Sequence, residues 1–316
     1  VYKKLKKHNM RGGIPARIKK LEKRVAELEA QLKALEPLLA LVEYVSVDKE
    51  NTINNLTPPH LFLTGVNLHI RNGAGQTDIS NGKGNLIIGY NEADEPVVEG
   101  VHYTHVRTGS HNLVVGPEHT YPSYGGFVTG YGNTISGIYT SVSGGVVSAA
   151  LGDWSCVSGG HFNQAIGTTS SISGGVHNQA TQTYATVSGG VENTASGFKS
   201  HVSGGFGNEA SGENSNVSGG LNNMASGVES SVSGGGANEA SGGQSSVSGG
   251  ASNVASADDS SVSGGHRNEA RRSSSSISGG ELNVTTGART SISGGQNITC
   301  STDYGWAAGT IADTCP

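Results

Sequence analysis

The chain has 316 residues, of which 50 are glycine, 34% fall in the apolar class and 5% are aromatic. So few large apolar side chains argue against a large three-dimensional core, and 50 Gly with 8 Pro fall below the composition of collagen or a structureless low-complexity chain; with the glycine periodic, a quasi-one-dimensional repeat protein is expected. The formal net charge is −5, yet ten of the twenty Lys and Arg lie in the first 24 residues, and 9 basic against 20 acidic residues from Val45 onward leave −11. That acidic body argues against nucleic acid as a partner.

No apolar run reaches the roughly 18 residues of a membrane span, so no transmembrane segment is expected. Val1 in first position suits a secreted chain cut from a precursor. Residues 1–13 read as a basic arm.

Pro15 is placed for the first turn of a helix, where its missing N–H is not needed. Ile18, Leu21, Val25, Leu28, Leu32, Leu35, Leu39 and Val42 then follow at alternating spacings of 3 and 4, the seam of a coiled coil over residues 14–43, which one helix cannot bury alone. Arg24 at a g position and Glu29 at the following e position can bridge parallel helices, and the run from Arg24 to Glu29 resembles the Arg-apolar-x-x-apolar-Glu pattern of parallel trimeric coiled coils. Three strands are therefore expected over two. Pro37 predicts a kink or break.

From Tyr44 the pattern turns to β-like alternation, as in Leu61–Thr64 and Val66–Ile70, predicting a β connector over residues 44–84. Asn85-Leu86-Ile87-Ile88-Gly89 and Asn112-Leu113-Val114-Val115-Gly116 predict irregular coils over 85–126, separated by a surface insertion at 90–111. Regular repeats are expected over 127–299. Val142, Val157, Ile172, Val187, Val202, Val217, Val232, Val247, Val262, Ile277 and Ile292 each open a Val/Ile-Ser-Gly-Gly unit at a spacing of 15. Six positions on, Asn163, Asn178, Asn193, Asn208, Asn223, Asn238, Asn253, Asn268 and Asn283 recur, and Ala recurs two positions after that.

Two short strands and two tight turns per unit, stacked at the inter-strand distance of about 4.8 Å, predict an all-β parallel solenoid. The aliphatic and Ala columns face inward, Gly-Gly turns the chain at positive φ, and Asn holds a corner in the left-handed region while its amide bonds to its own backbone or to stacked neighbours. Each coil buries so little apolar surface that a lone solenoid is marginal against its ordering entropy. Three chains about one axis would remedy this, and the preceding helix would align them.

The Leu/Val-x-x-Gly and Val-Ser-Gly-Gly units, with the Asn-x-Ala-x-Gly-x-x-Ser continuation at Asn193–Ser200, resemble the head repeats of YadA-like trimeric autotransporter adhesins over roughly residues 85–299. That resemblance implies a trimeric left-handed parallel β-roll. The coiled coil here precedes the repeats, and no C-terminal membrane β-barrel is expected, leaving the N-terminal arm and helix as the assembly end.

At the C-terminus, residues 300–316 read as a last coil and cap. Aligning Ile292–Cys300 with Ala307–Cys315 sets the two cysteines one coil apart, which predicts a Cys300–Cys315 disulfide. Cys156, beside the inward Val157, is expected to face outward.

No GxSxG elbow, Walker loop, His-Glu-x-x-His or paired-cysteine zinc spacing is present, so neither an enzyme nor a cofactor is expected. The histidines at 102, 105, 111 and 119 are too loosely spaced to predict a metal centre. The leading expectation is a secreted or cell-surface homotrimeric fibre or adhesin-like rod, able to join head to tail through its basic arm and acidic body and to meet a cell-surface or matrix ligand. Two others stand beside it: an ice-binding face built from the Ser-Val-Ser columns, and a glycan site on the 90–111 insertion with Tyr103 and His105 as contacts.

Overall fold

In the computed structural model, residues 13–92, 97–98, 101–102 and 105–309 are described. The chain divides into two compact units, Val1–His69 and Ile70–Pro316.

In the first unit, helix α1 spans Gly13–Leu39 with Pro37 inside it. The expected interruption at Pro37 is a termination instead. Proline removes one hydrogen bond but fits a last turn that is ending anyway, and the chain leaves through tight bonds from Leu41 N to Leu38 O and Val42 N to Leu39 O, both 3.1 Å. Val42, counted at the end of the heptad seam, lies beyond the helix. Strand β1 (Val45–Asp48) pairs antiparallel with β2 (His60–Leu63), Val45 opposite Leu63 and Asp48 opposite His60. Where β1 ends, hydrogen bonds from Asn51 and Glu50 hold the Asp48 carboxyl down at about 2.

The alternation at Val66–Ile70 does not become a strand. It finds no ladder partner among the described residues, and alternation without a neighbouring strand leaves its backbone groups to water.

The second unit is the solenoid. Successive coils contribute one strand each to two parallel sheets, one of 15 strands running from Leu86–Ile88 to Trp306–Gly309 and one of 12 running from Thr134–Ile135 to Thr299–Cys300. Single bridges from Tyr131 to Gln296 tie a third edge. The register is constant: Val157 pairs with Ile172, Val187 with Val202, and Ala165 with Ala180, each 15 residues apart.

Val142, Val157, Ile172, Val187, Val202, Val217, Val232, Val247, Val262, Ile277 and Ile292 form one buried column, and Ala150 to Ala270 a second. Ile87, which heads the aliphatic column, is 41% exposed whereas Val114 in the next coil is 0%. Only a stacked neighbour makes these positions interior.

Two details depart from expectation. The coils entered at Leu113 and Phe127 are 14 residues long, since Leu113 pairs with Phe127 and Phe127 with Ser141, and the 15-residue register begins only at Ser141. These coils have a single Gly116 or Gly130 where later coils have Gly-Gly.

The second departure is at the corner. The Asn column is not left-handed; the residue before each Asn is, with Phe162, His177, Glu192 and Asn222 at φ of 55°, 55°, 58° and 52°. The asparagine is turned into the coil by that preceding corner, and its amide is then needed for bonds between coils rather than for its own turn.

Candidate functional site

Four features of the molecule are candidates for function: the helix seam, the polar columns inside the solenoid, the hydroxyl face and the 90–111 insertion.

On α1, Ile18, Leu21, Val25, Leu28, Leu32 and Leu35 are all exposed. They share one stripe, because apolar positions three and four apart fall on one side of a helix. Arg24 Nη1 lies 3.2 Å from Glu27 Oε2, an exposed pair within the helix, while Glu29 is exposed on the surface. A surface pair of this kind stabilises by only about 0–1 kcal/mol.

Inside the solenoid, Asn163, Asn178, Asn193, Asn208, Asn223, Asn238, Asn253, Asn268 and Asn283 are all buried. Each amide ties the turn of its own coil to the next coil in the same way. For Asn223, Nδ2 donates to Gly219 O at 2.8 Å and to Gly235 O at 3.0 Å, and Oδ1 accepts from Asn238 N at 3.0 Å. Direct amide-to-amide bonds, anticipated from the sequence, occur only at Asn253 to Asn238 and Asn268 to Asn253, both 3.2 Å.

The sequence reading missed a second interior polar column: Thr140, Ser155, Ser170, Ser200, Ser215 and their successors are buried one residue before each outward strand position. Recurrence of Ser or Thr at that place, broken only by Ala185 between Thr140 and Thr290, was the available signal. Ser260 and Ser275 donate back to Ala257 O and Arg272 O, each at 2.6 Å, whereas the hydroxyls of Ser155, Ser170, Ser215, Ser230 and Ser245 are buried without a partner among the described residues.

His119 stands at the N-terminal end of the Asn column. It is buried, its Nδ1 accepts from Asn133 N at 3.1 Å, and its other nitrogen lies 3.0 Å from Val115 O. The ring is therefore neutral with the proton on Nε2. Burial pushes its pKa below the ordinary value, and the nearby Arg107 adds in the same direction. Because the folded state disfavours the proton and the unfolded state takes it up near pH 6.5, stability is complete above that pH and falls as pH drops below it. Thermal melting of wild type is expected to weaken between about pH 6.5 and 5, with His119→Asn, which keeps an acceptor for Asn133, losing that dependence; equal pH slopes for the two proteins would refute the assignment.

At the insertion, Tyr103 lies outside the described residues, and His105 is half-buried and engaged, not an open contact. Residues 109 and 110 are buried, so the surface part of the insertion is shorter than expected. Val97–Val98 pairs antiparallel with Val101–His102. Arg107, unremarked in the sequence, gathers the insertion's roots: its guanidinium donates to Asn91 O and Glu92 O at 2.5 Å and to His119 O at 3.2 Å. Arginine suits this because its planar fork reaches several carbonyls at once.

On the 15-stranded sheet, Ser143 and its equivalents are exposed, and the hydroxyls at Ser141, Ser171, Ser231 and their equivalents are half-buried. Neighbours along the axis touch, as Ser276 Oγ to Ser291 Oγ at 3.2 Å. Cys156, His201 and Asn216 interrupt this column.

Cys156 is a free, half-buried thiol, and burial raises its pKa. Cys300 is buried and disulfide-bonded; Cys315, its expected partner, lies outside the described residues. Among the described residues no three His, Cys, Asp or Glu side chains converge as a metal site, and no helix is long and apolar enough to cross a membrane.

Comparison with known proteins matches this chain to no family model and to no curated sequence.

Proposed function

We propose that the chain is a non-enzymatic, extracellular structural protein: a homotrimer in which parallel α1 helices align three solenoids as a rigid display rod. The observation that carries this is the helix seam from Ile18 to Leu35, exposed among the described residues, on a chain whose solenoid coils each bury one aliphatic and one small residue. A 27-residue amphipathic helix with no neighbour is stabilised by association. The g and e placement of Arg24 and Glu29, which would let them pair across parallel helices, supports three strands, and a left-handed β-roll like those of YadA-like heads is the solenoid geometry we assign to the trimer.

Opposite charge on the basic N-terminal arm and the acidic body extends the proposal to head-to-tail joining of trimers. Light scattering with negative-stain microscopy tests both steps. Wild type is expected at three times the chain mass, lengthening into filaments at low salt. Leu28→Asp with Leu32→Asp is expected at the mass of one chain with its β circular dichroism retained, because two buried charges cannot be accommodated in a seam. A wild-type particle of single-chain mass would end the trimer reading, and trimers that never lengthen would end the filament reading alone.

A further inference from the structure

The turn that follows the Ala column presents one corner residue per coil to solvent, and in the N-terminal coils that residue is repeatedly aromatic. Tyr139, Trp154 and Tyr184 are 50%, 54% and 51% exposed, with Thr169 between the last two. Tyr124 and Phe198 sit one position earlier in their coils, edge-on to Tyr139 at 5.5 Å and to Tyr184 at 6.0 Å. Tyr139 also lies directly over Gly125, whose missing Cβ would come within 2.6 Å of the ring. That contact fixes one side of the ring and leaves the other to solvent.

The backbone does not demand aromatics here. All corner residues share one left-handed conformation, with φ of 53°, 57° and 60° at Tyr139, Trp154 and Tyr184 and 54°, 57°, 55° and 56° at Asn214, Glu229, Gln244 and Asp259. The same place is thus filled by polar residues from Lys199 to Arg289. Exposed tyrosine and tryptophan take a bulky residue's least favoured backbone angles here, in three of the first four places of the column against one, Tyr304, in the remaining eight.

The fringe of the stripe identifies what it would hold. Next to these corners in sequence stand Thr168, Thr169 and Thr183, and half-buried Asp153, whose Oδ1 accepts from Ile138 N at 3.0 Å. Lys199, at the far end, is drawn over the Phe198 ring at 5.0 Å. One carboxylate and one ammonium give no field for an ionic partner, whereas ring faces bordered by hydroxyls match a sugar, whose C–H face is apolar and whose rim donates and accepts hydrogen bonds. The backbone positions that carry the rings rise along the axis by about 4.8 Å per coil, and neighbouring ring centroids lie 5.5 and 6.0 Å apart, close to the length of one pyranose unit in an extended chain.

We propose that this corner, from Tyr124 to Phe198, binds an uncharged, extended β-1,4-linked glycan lying along the solenoid axis, with Trp154 and the exposed faces of Tyr139 and Tyr184 as stacking platforms. The site lies within the coils of a single chain and does not depend on the trimer; a monomer carries the same stripe.

The test uses the full chain with cellohexaose and chitohexaose as probes. Trp154 and Trp306 are the two tryptophans, so in Trp306→Phe the fluorescence reports Trp154 alone, and saturable quenching by at least one hexasaccharide is expected. By calorimetry, Trp154→Ala and Tyr184→Ala are expected to weaken binding at least tenfold, Trp154→Phe to retain most of it, and Tyr304→Ala, at the far end of the same column, to change nothing. Circular dichroism checks that each variant is folded. Absence of saturable binding to both sugars, or affinity indifferent to Trp154→Ala, overturns the proposal; so does a fall in particle mass on Trp154→Ala, which would mean that another chain covers the stripe.

Discussion

Replacing Gly250 with alanine is expected to destabilise the solenoid by about 4 kcal/mol, whereas the same change at Gly249, its immediate neighbour, is expected to cost under about 0.5 kcal/mol. Gly250 sits at φ +83°, and a Cβ there would lie 2.2 Å from Gly265 O, 2.6 Å from Asn253 Nδ2 and 2.8 Å from Gly265 N. These atoms are held in place, because Gly265 O accepts from Ala251 N at 2.9 Å and from Asn253 Nδ2 at 3.0 Å, and that amide also donates to Gly249 O at 2.9 Å. The left-handed conformation adds about 1–2 kcal/mol for any side chain. At Gly249 nothing lies within 4 Å of the added carbon. The earlier coils point the same way, since those entered at Leu113 and Phe127 lack this first glycine and keep the second. Urea unfolding of the two variants beside wild type measures the difference, and hydrogen exchange should place the loss in the coils flanking residue 250. Equal midpoints for the two alanine variants would show that the Gly-Gly turn is not organised as described.

The second large effect is expected at Asn223. Asn223→Ala leaves Asn238 N–H without its acceptor and removes the donor to Gly219 O, while Gly235 O keeps the Leu221 N–H at 2.9 Å. Burying such groups unpaired costs about 1–3 kcal/mol each, so a loss of about 3 kcal/mol is expected. Asn223→Asp should be worse at neutral pH, because a carboxylate oxygen would replace the amide nitrogen against two carbonyls. Asn223→Ser should be milder: Ser148 holds the equivalent place naturally, and its Oγ accepts Asn163 N at 3.2 Å. The order Ser, Ala, Asp in rising cost, read from denaturant midpoints, checks the role; an Asp variant as stable as Ser would refute it.

The parts legible in the sequence are those written by repetition. A column of Val or Ile at every fifteenth residue, with Ala eight positions on, states both the coil length and which side chains face inward, because parallel stacking puts identical residues above one another. The heptad from Ile18 to Leu35 likewise states a helix with one apolar side. Where the pattern is broken, the sequence falls silent or misleads. The alternation at Val66–Ile70 suggested a strand but supplied no partner for it, and Arg107, which occurs once in no repeat, gave no sign that it would hold both ends of the insertion.

The corner was misassigned for a different reason. Asparagine tolerates the left-handed region, so propensity placed it there; the fold instead puts Phe162, His177 or Glu192 at that angle and spends the asparagine on bonds between coils. Local preference is worth a fraction of a kcal/mol, and satisfying several buried backbone groups is worth more. By itself, then, the sequence determined the period, the interior columns and the apolar seam, all consequences of residue spacing. Only the tertiary structure decided which residue takes each strained corner, how His119 and Ser148 substitute for asparagine, and that the aromatics of successive coils line one open edge, because those depend on what the next coil brings within reach.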